Sequence, residues 1–256
     1  MKIGVQMYTI REHLKNLQEI DASLKRIKEI GFDMVQVSGL GPCTADELNS
    51  MLKKYSIEAC GTHSPWERVS DPAELKILID EHKKLGCCQI GIGIKPSDYP
   101  DSYEGYTDFI RKINKICDQL EGSGLGFGYH NHELEFMKFK EKCAIDRMIE
   151  ECPKLEFILD VFWTQAGGKN PVDYIDKLKN RIKILHIKDY RVCGRSRQFA
   201  EAGQGNLDWA SIFARCKEYK IPYAVIEQDA DFMTGDPFES LAVSRKFLME
   251  NGYWNI

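Results

Sequence analysis

Short apolar runs alternate with longer amphipathic stretches along the whole chain. Runs at Ile3–Met7, Met34–Val37, Ile57–His63, Gln89–Ile92, Gly126–His132, Phe157–Asp160, Ile182–Ile187 and Tyr223–Gln228 predict eight strands. Apolar residues at helical spacing predict helices over Asp21–Ile30, Ala45–Tyr55, Pro72–Leu85, Tyr106–Leu120, Ile145–Glu151, Val172–Leu178, Trp209–Tyr219 and Pro237–Glu250. Eight strands, each followed by a helix, predict a single-domain (β/α)8 TIM barrel over residues 1–256 rather than an open sheet. Gly31, Gly86 and Gly124 fall at helix-to-strand turns, where glycine takes the left-handed backbone that ends a helix. The longest stretch without a period is Tyr190–Asn206, after the seventh strand. Loops of that length are usually functional or disordered.

Charge and composition narrow the function. With 39 Asp and Glu against 35 Lys and Arg the net charge is −4, which argues against a partner such as nucleic acid or an anionic membrane. No apolar run approaches the roughly 18 residues of a membrane span. Met1–Thr9, broken by Gly4 and Gln6, does not read as a signal peptide, so a cytoplasmic location is expected. The nine cysteines are odd in number and scattered, which predicts packing roles in a reducing compartment. The oligomeric state stays open, a homo-oligomer included.

In a barrel the chemistry comes from the C-terminal ends of the strands. The fifth strand ends in His130 and His132, the sixth in Asp160, the seventh carries His186, and the eighth carries Glu227. Alternation along a strand puts His130 and His132 on one face, and likewise His186 and Lys188. Imidazoles and carboxylates at four neighbouring strand ends suit one divalent ion, with Zn, Mn or Co more natural than Ca or Mg and with Mg as the further option. The alternative is that each caps a helix or bonds nearby backbone. His13 and His82 fall in helical or loop segments and are expected to face solvent.

The segments "IGVQMYTIRE", "GTHSP", "YHNHELEF", "LDVFWTQAGGKNP", "LHIKD", "GQGNLDW" and "VIEQD" resemble the xylose isomerase-like sugar-phosphate isomerases and epimerases. That barrel superfamily also holds inosose dehydratases, ketose 3-epimerases and endonuclease IV. The resemblance implies a metal set of Glu, Asp, His and Glu on strands five to eight, matched here by Asp160, His186 and Glu227, with His130 where a glutamate is expected. It implies isomerisation or epimerisation of a small-molecule sugar or keto-sugar, by proton abstraction beside a carbonyl through an enediolate. The alternative is a lyase, acting as an inosose dehydratase or on a 3-keto-glycoside.

An imidazole bound through one nitrogen offers only the other, which leaves Glu227 the better base and His130 either ligand or base. The free N–H of a ligating His130 needs an acceptor, for which Glu133 and Glu135 are candidates; Glu135 is also a candidate for substrate binding. Further candidates for the substrate are His63, His132, Trp163 and Arg191, with Trp66, Tyr8 and Arg195 weaker. Lys188 is expected either to help as an electrophile or to pair with Asp160 or Glu227.

Overall fold

The computed structural model describes residues 1–254. Eight parallel strands close into a barrel: β1 (Lys2–Gln6), β2 (Met34–Val37), β3 (Glu58–His63), β4 (Gln89–Ile92), β5 (Gly126–His130), β6 (Glu156–Asp160), β7 (Ile182–Ile187) and β8 (Tyr223–Ile226). Closure runs through β1 and β8, where Lys2 pairs with Tyr223 and Val5 with Ile226. The strands read as apolar runs because one face meets the barrel interior and the other meets the helices. Ile158, Ile184 and Val225 fill the interior, beside Met34 and Cys60.

Predicted bounds hold at β2, β4 and β7 and at helices Ala45–Tyr55, Pro72–Leu85 and Pro237–Glu250, and shift elsewhere. Helix Leu17–Ile30 begins four residues before the expected start because the Asn16 side chain accepts from the Glu19 N–H. Helix Tyr103–Leu120 begins early for the same reason, with Ser102 accepting from Gly105. Gly31 and Gly86 end their helices with positive φ, as expected. Gly124 also has positive φ, but it lies in the turn four residues beyond the end of its helix at Leu120.

The stretch after β7 is irregular only beyond Ala200. Asp189–Cys193 pairs antiparallel with Ser196–Ala200, and the return to the barrel is tied to the Asp189 carboxylate. That carboxylate accepts from Gly203 N–H (3.0 Å), Leu207 N–H (3.3 Å) and Trp209 Nε1 (2.8 Å). A buried carboxylate holding so many donors fixes the loop without a core of its own. All nine cysteines are free, six of them buried, in keeping with packing roles. No described helix is long and apolar enough to cross a membrane.

Candidate metal centre

β5 and β6 end on His130 and Asp160, β7 carries His186 one residue before its end, and Glu227 follows β8, its N–H donating to Ile187 O at 3.0 Å. All four side chains are buried, and one donor atom from each lies within 4.8 Å of the others. Asp160 Oδ2 is 3.4 Å from His130 Nε2 and 3.7 Å from His186 Nδ1. Glu227 Oε2 is 3.9 Å from His130 Nε2 and 2.8 Å from His186 Nδ1. Ligands about 2.0–2.2 Å from a shared ion stand at such separations from one another.

The remaining hydrogen bonds leave donor atoms in the cluster that could hold a cation. His130 Nδ1 donates to the Gly93 carbonyl (2.9 Å), so its Nε2 presents a lone pair when the ring is neutral. His186 Nε2 donates to Gln36 Oε1 (2.6 Å), which leaves a lone pair on Nδ1. With both rings neutral, two imidazole lone pairs therefore face two carboxylate oxygens, an arrangement that either a proton on an imidazole or a bound cation relieves. The electrostatics agree. Burial works to depress His186, but Glu227 and Asp160 outweigh it and its pKa is raised. Burial works to raise Asp160, yet the hydrogen bonds from His130 and His186, and Lys188, hold it at about 2. The buried residues fit a divalent ion.

The acceptor behind His130 is the Gly93 carbonyl, not Glu133 or Glu135. A Cβ at Gly93 would lie 2.8 Å from His63 Nδ1, so glycine lets the two rings share this corner. Glu133 is exposed and 3.6 Å from Arg197. Glu135 is buried, accepting from Tyr129 OH and His132 N–H, both at 2.6 Å. It braces the turn after β5 and does not reach the cavity. Because β5 stops at His130, strand alternation does not place His132. Its ring nevertheless stands edge-on to His130, 4.7 Å between centroids, and burial pushes its pKa down to about 3.

A cavity of about 360 Å³ opens over the cluster, and His63, His130, His132, Lys188 and Glu227 line it. Lys188 is buried and pairs with Asp229 (2.5 Å) more closely than with Glu227 (3.5 Å). Burial opposes its charge, but Glu227, Asp160 and Asp229 outweigh that and raise its pKa. Trp163 packs its ring 5.2 Å from His132, with Lys188 Nζ 5.0 Å from the ring centroid. Tyr8 lines the cavity rim, whereas Trp66 packs on Tyr99 and Phe109 beneath a loop. Arg191 turns onto Gln198 at 3.4 Å, and Arg195 is exposed at the hairpin turn. Neither lines the cavity.

Sequence reasoning missed Gln36, Asp229 and Asn131. Asn131 Oδ1 accepts from the Asp160 N–H (2.9 Å) while its amide donates to the Asp160 carbonyl (3.3 Å). A polar residue within an apolar strand run is the available signal for Gln36, and the buried Gln6 beside it donates to its Oε1 at 3.0 Å. His82, expected in solvent, is buried: its Nδ1 donates to Leu78 O (2.7 Å) and its Nε2 meets Thr62 Oγ1 (2.8 Å). His13 is exposed as expected.

Residues 24–245 match the family described as xylose isomerase-like TIM barrel. The chain is 24% identical over 271 aligned positions to an inosose dehydratase of Geobacillus kaustophilus, covering 89% of this chain and 86% of that protein. Among solved structures it is similar to a sugar phosphate isomerase/epimerase of Parabacteroides distasonis, with a TM-score of 0.80 and 22% identity over 96% of this chain and 93% of that one. It is also similar to the IolI protein with a bound zinc atom, with a TM-score of 0.69 and 16% identity over 100% of both chains.

Proposed function

The chain belongs to the xylose isomerase-like TIM-barrel family, and on that premise we propose a metal-dependent enzyme that removes a proton beside the carbonyl of a keto-sugar and completes a β-elimination. His130, Asp160, His186 and Glu227 would hold one divalent ion, of which Zn, Mn and Co suit the two-imidazole, two-carboxylate set best. When bound, the ion supplies Lewis acidity that polarises the carbonyl and acidifies the neighbouring C–H.

One observation carries the assignment of the base. Both nitrogens of His130 and of His186 are engaged, and Asp160 uses Oδ2 in the cluster and Oδ1 to cap the Trp163 N–H at 2.9 Å. Glu227 makes its contacts through Oε2 alone and lines the cavity, which leaves Oε1 to take the proton. Among the four ligands it is the one with a spare basic atom. Epimerisation through two bases on opposite faces is therefore poorly served, because His130 stands where the second carboxylate would be and has no free nitrogen.

Lys188 favours elimination. Its Nζ lies 3.5 Å from Glu227 Oε2, so base and donor share one side of the cavity. Glu227 takes the proton from carbon as the C=C bond forms, and Lys188 donates to the oxygen that departs from the adjacent carbon. The inosose dehydratase likeness supports the same outcome. Isomerisation is the second reading, because one carboxylate on one face also serves a proton shift between neighbouring carbons. Product analysis of metal-loaded protein on a panel of keto-sugars tests the choice. An unsaturated ketone lighter by its leaving group supports elimination; an isomer of unchanged mass carrying solvent deuterium supports isomerisation.

A further inference from the structure

A further space adjoins the cavity over the cluster. A second cavity of about 660 Å³ lies between helices Ala45–Tyr55 and Pro72–Leu85, and Ser38 and His63 line both spaces. The two are neighbouring compartments with a common seam. Resting on the proposed keto-sugar chemistry, we infer that the substrate carries a second neutral, hydroxylated ring, which lies in this compartment while the reacting ring lies over the metal centre.

The seam offers a donor. Gln6 Nε2 can only donate, so His63 Nδ1 accepts from it at 3.4 Å, and the proton of the neutral ring sits on Nε2. His63 Nε2 is buried and has no hydrogen-bond partner in the protein. A buried N–H without a partner costs free energy that a ligand oxygen recovers, and an oxygen joining two rings would lie at this boundary.

The second compartment offers acceptors. His82 Nδ1 donates to Leu78 O, so its Nε2 accepts from Thr62 Oγ1, and Thr62 in turn accepts from Ser64 Oγ at 2.8 Å. The carbonyl at one end thus sets the direction of the chain, and Ser64 Oγ is left presenting lone pairs. Beside it Arg68 is tied to Glu74 (3.0 Å) and to Glu81 (3.0 Å), all three lining the space and partly exposed. The guanidinium is neutralised by two carboxylates, which suits hydroxyl donors and does not suit a phosphate or carboxylate ligand. Leu40, Leu48, Leu78 and Pro65 supply the apolar floor that the flat face of a ring covers.

The test is calorimetric affinity of metal-loaded full-length protein for neutral 3-keto-disaccharides and for the matching methyl 3-keto-glycosides, in wild type, Ser64→Ala and Cys43→Trp. Cys43 lines the compartment, so a tryptophan there occupies it. The expected result is at least about tenfold tighter binding of a two-ring compound, with the preference reduced about fivefold in Ser64→Ala and lost in Cys43→Trp. Equal affinity for one ring and two, a preference that survives Cys43→Trp, or no binding of any two-ring compound overturns the inference. Proton exchange into deuterated water is followed separately. Two-ring binding without exchange sinks the proposed reaction and leaves the second compartment standing, whereas exchange on one-ring compounds without a two-ring preference does the reverse.

Discussion

Strand β6 begins and ends on a buried or partly buried carboxylate, and the two behave in opposite ways. At the N-terminal end of the barrel Glu156 accepts from Gln89 Nε2 (2.8 Å) and lies 3.5 Å from Lys183. Burial outweighs both, and its pKa is raised. Four residues on, Asp160 meets two imidazoles and Lys188 and is held at about 2. Lysine lies near both, so charge balance alone does not separate the ends. The difference is convergence: Glu156 is satisfied by one amide beside a half-exposed lysine, while two imidazoles and two carboxylates at the mouth place a donor atom each within 4.8 Å of one another. Cavity size points the wrong way, since the space at the closed end, about 690 Å³, exceeds the 360 Å³ over the metal centre. What distinguishes the mouth is the convergence of buried imidazole and carboxylate groups on one point.

The sharpest way to break this contrast is to remove a ligand from the mouth and a carboxylate from the base in parallel. Asp160→Ala or His186→Ala is expected to weaken metal affinity by more than about a hundredfold and to abolish activity, because loss of a ligand exceeds the usual cost of disturbing a residue behind one. Glu156→Gln is expected to retain both. Metal analysis after dialysis reads the outcome, and full metal content in Asp160→Ala would refute the centre.

Next in size is the base. Glu227→Gln is expected to slow exchange of the substrate α-hydrogen with deuterated water by about a hundredfold or more. Metal content measured in the same sample separates loss of the base from loss of the ion. Undiminished exchange in a metal-replete sample would move the role to His130, with His130→Gln under the same assay as the deciding variant.

A smaller effect is expected one layer back. Gln36→Leu removes the acceptor behind His186 without touching the cluster, and metal affinity is expected to fall about 10–100-fold. A chelator competition titration reads it, and an unchanged affinity would show that the Gln36 contact does not set the tautomer of His186.

The least effect belongs to the closed end and appears only as pH dependence. Because the folded-state pKa of Glu156 is raised, the folded protein holds a proton there that the unfolded chain has released. Its contribution to stability is therefore present below the unfolded value and declines as pH rises through the folded one. Glu156→Gln removes this decline, so the variant should gain on the wild type between acid and neutral pH, by less than about 1 kcal/mol. Urea midpoints at several pH values provide the measurement. A relative loss for the variant as pH rises would mean that the Lys183 pair dominates.

The sequence by itself determined the barrel and the identity of the four clustered residues. Period gives the strands because interior and helix-facing positions are both apolar, and position at a strand end gives His130, Asp160, His186 and Glu227 because every parallel strand delivers its last residues to the same mouth. The helix starts set by the caps at Asn16 and Ser102 precede the apolar spacing, so periodicity alone places them late. Only the tertiary structure decided which atoms of those residues are free. Gly93, Gln36 and Trp163 are distant from one another along the chain, yet together they use one atom each of His130, His186 and Asp160 and leave Glu227 with a spare oxygen. The same holds for His82, whose helical position suggests solvent until helix Pro72–Leu85 packs against β3 and gives it Thr62. A strand end fixes which residue reaches the mouth; the neighbouring backbone and side chains that meet it there fix where its protons and lone pairs point, and that depends on contacts no local pattern records.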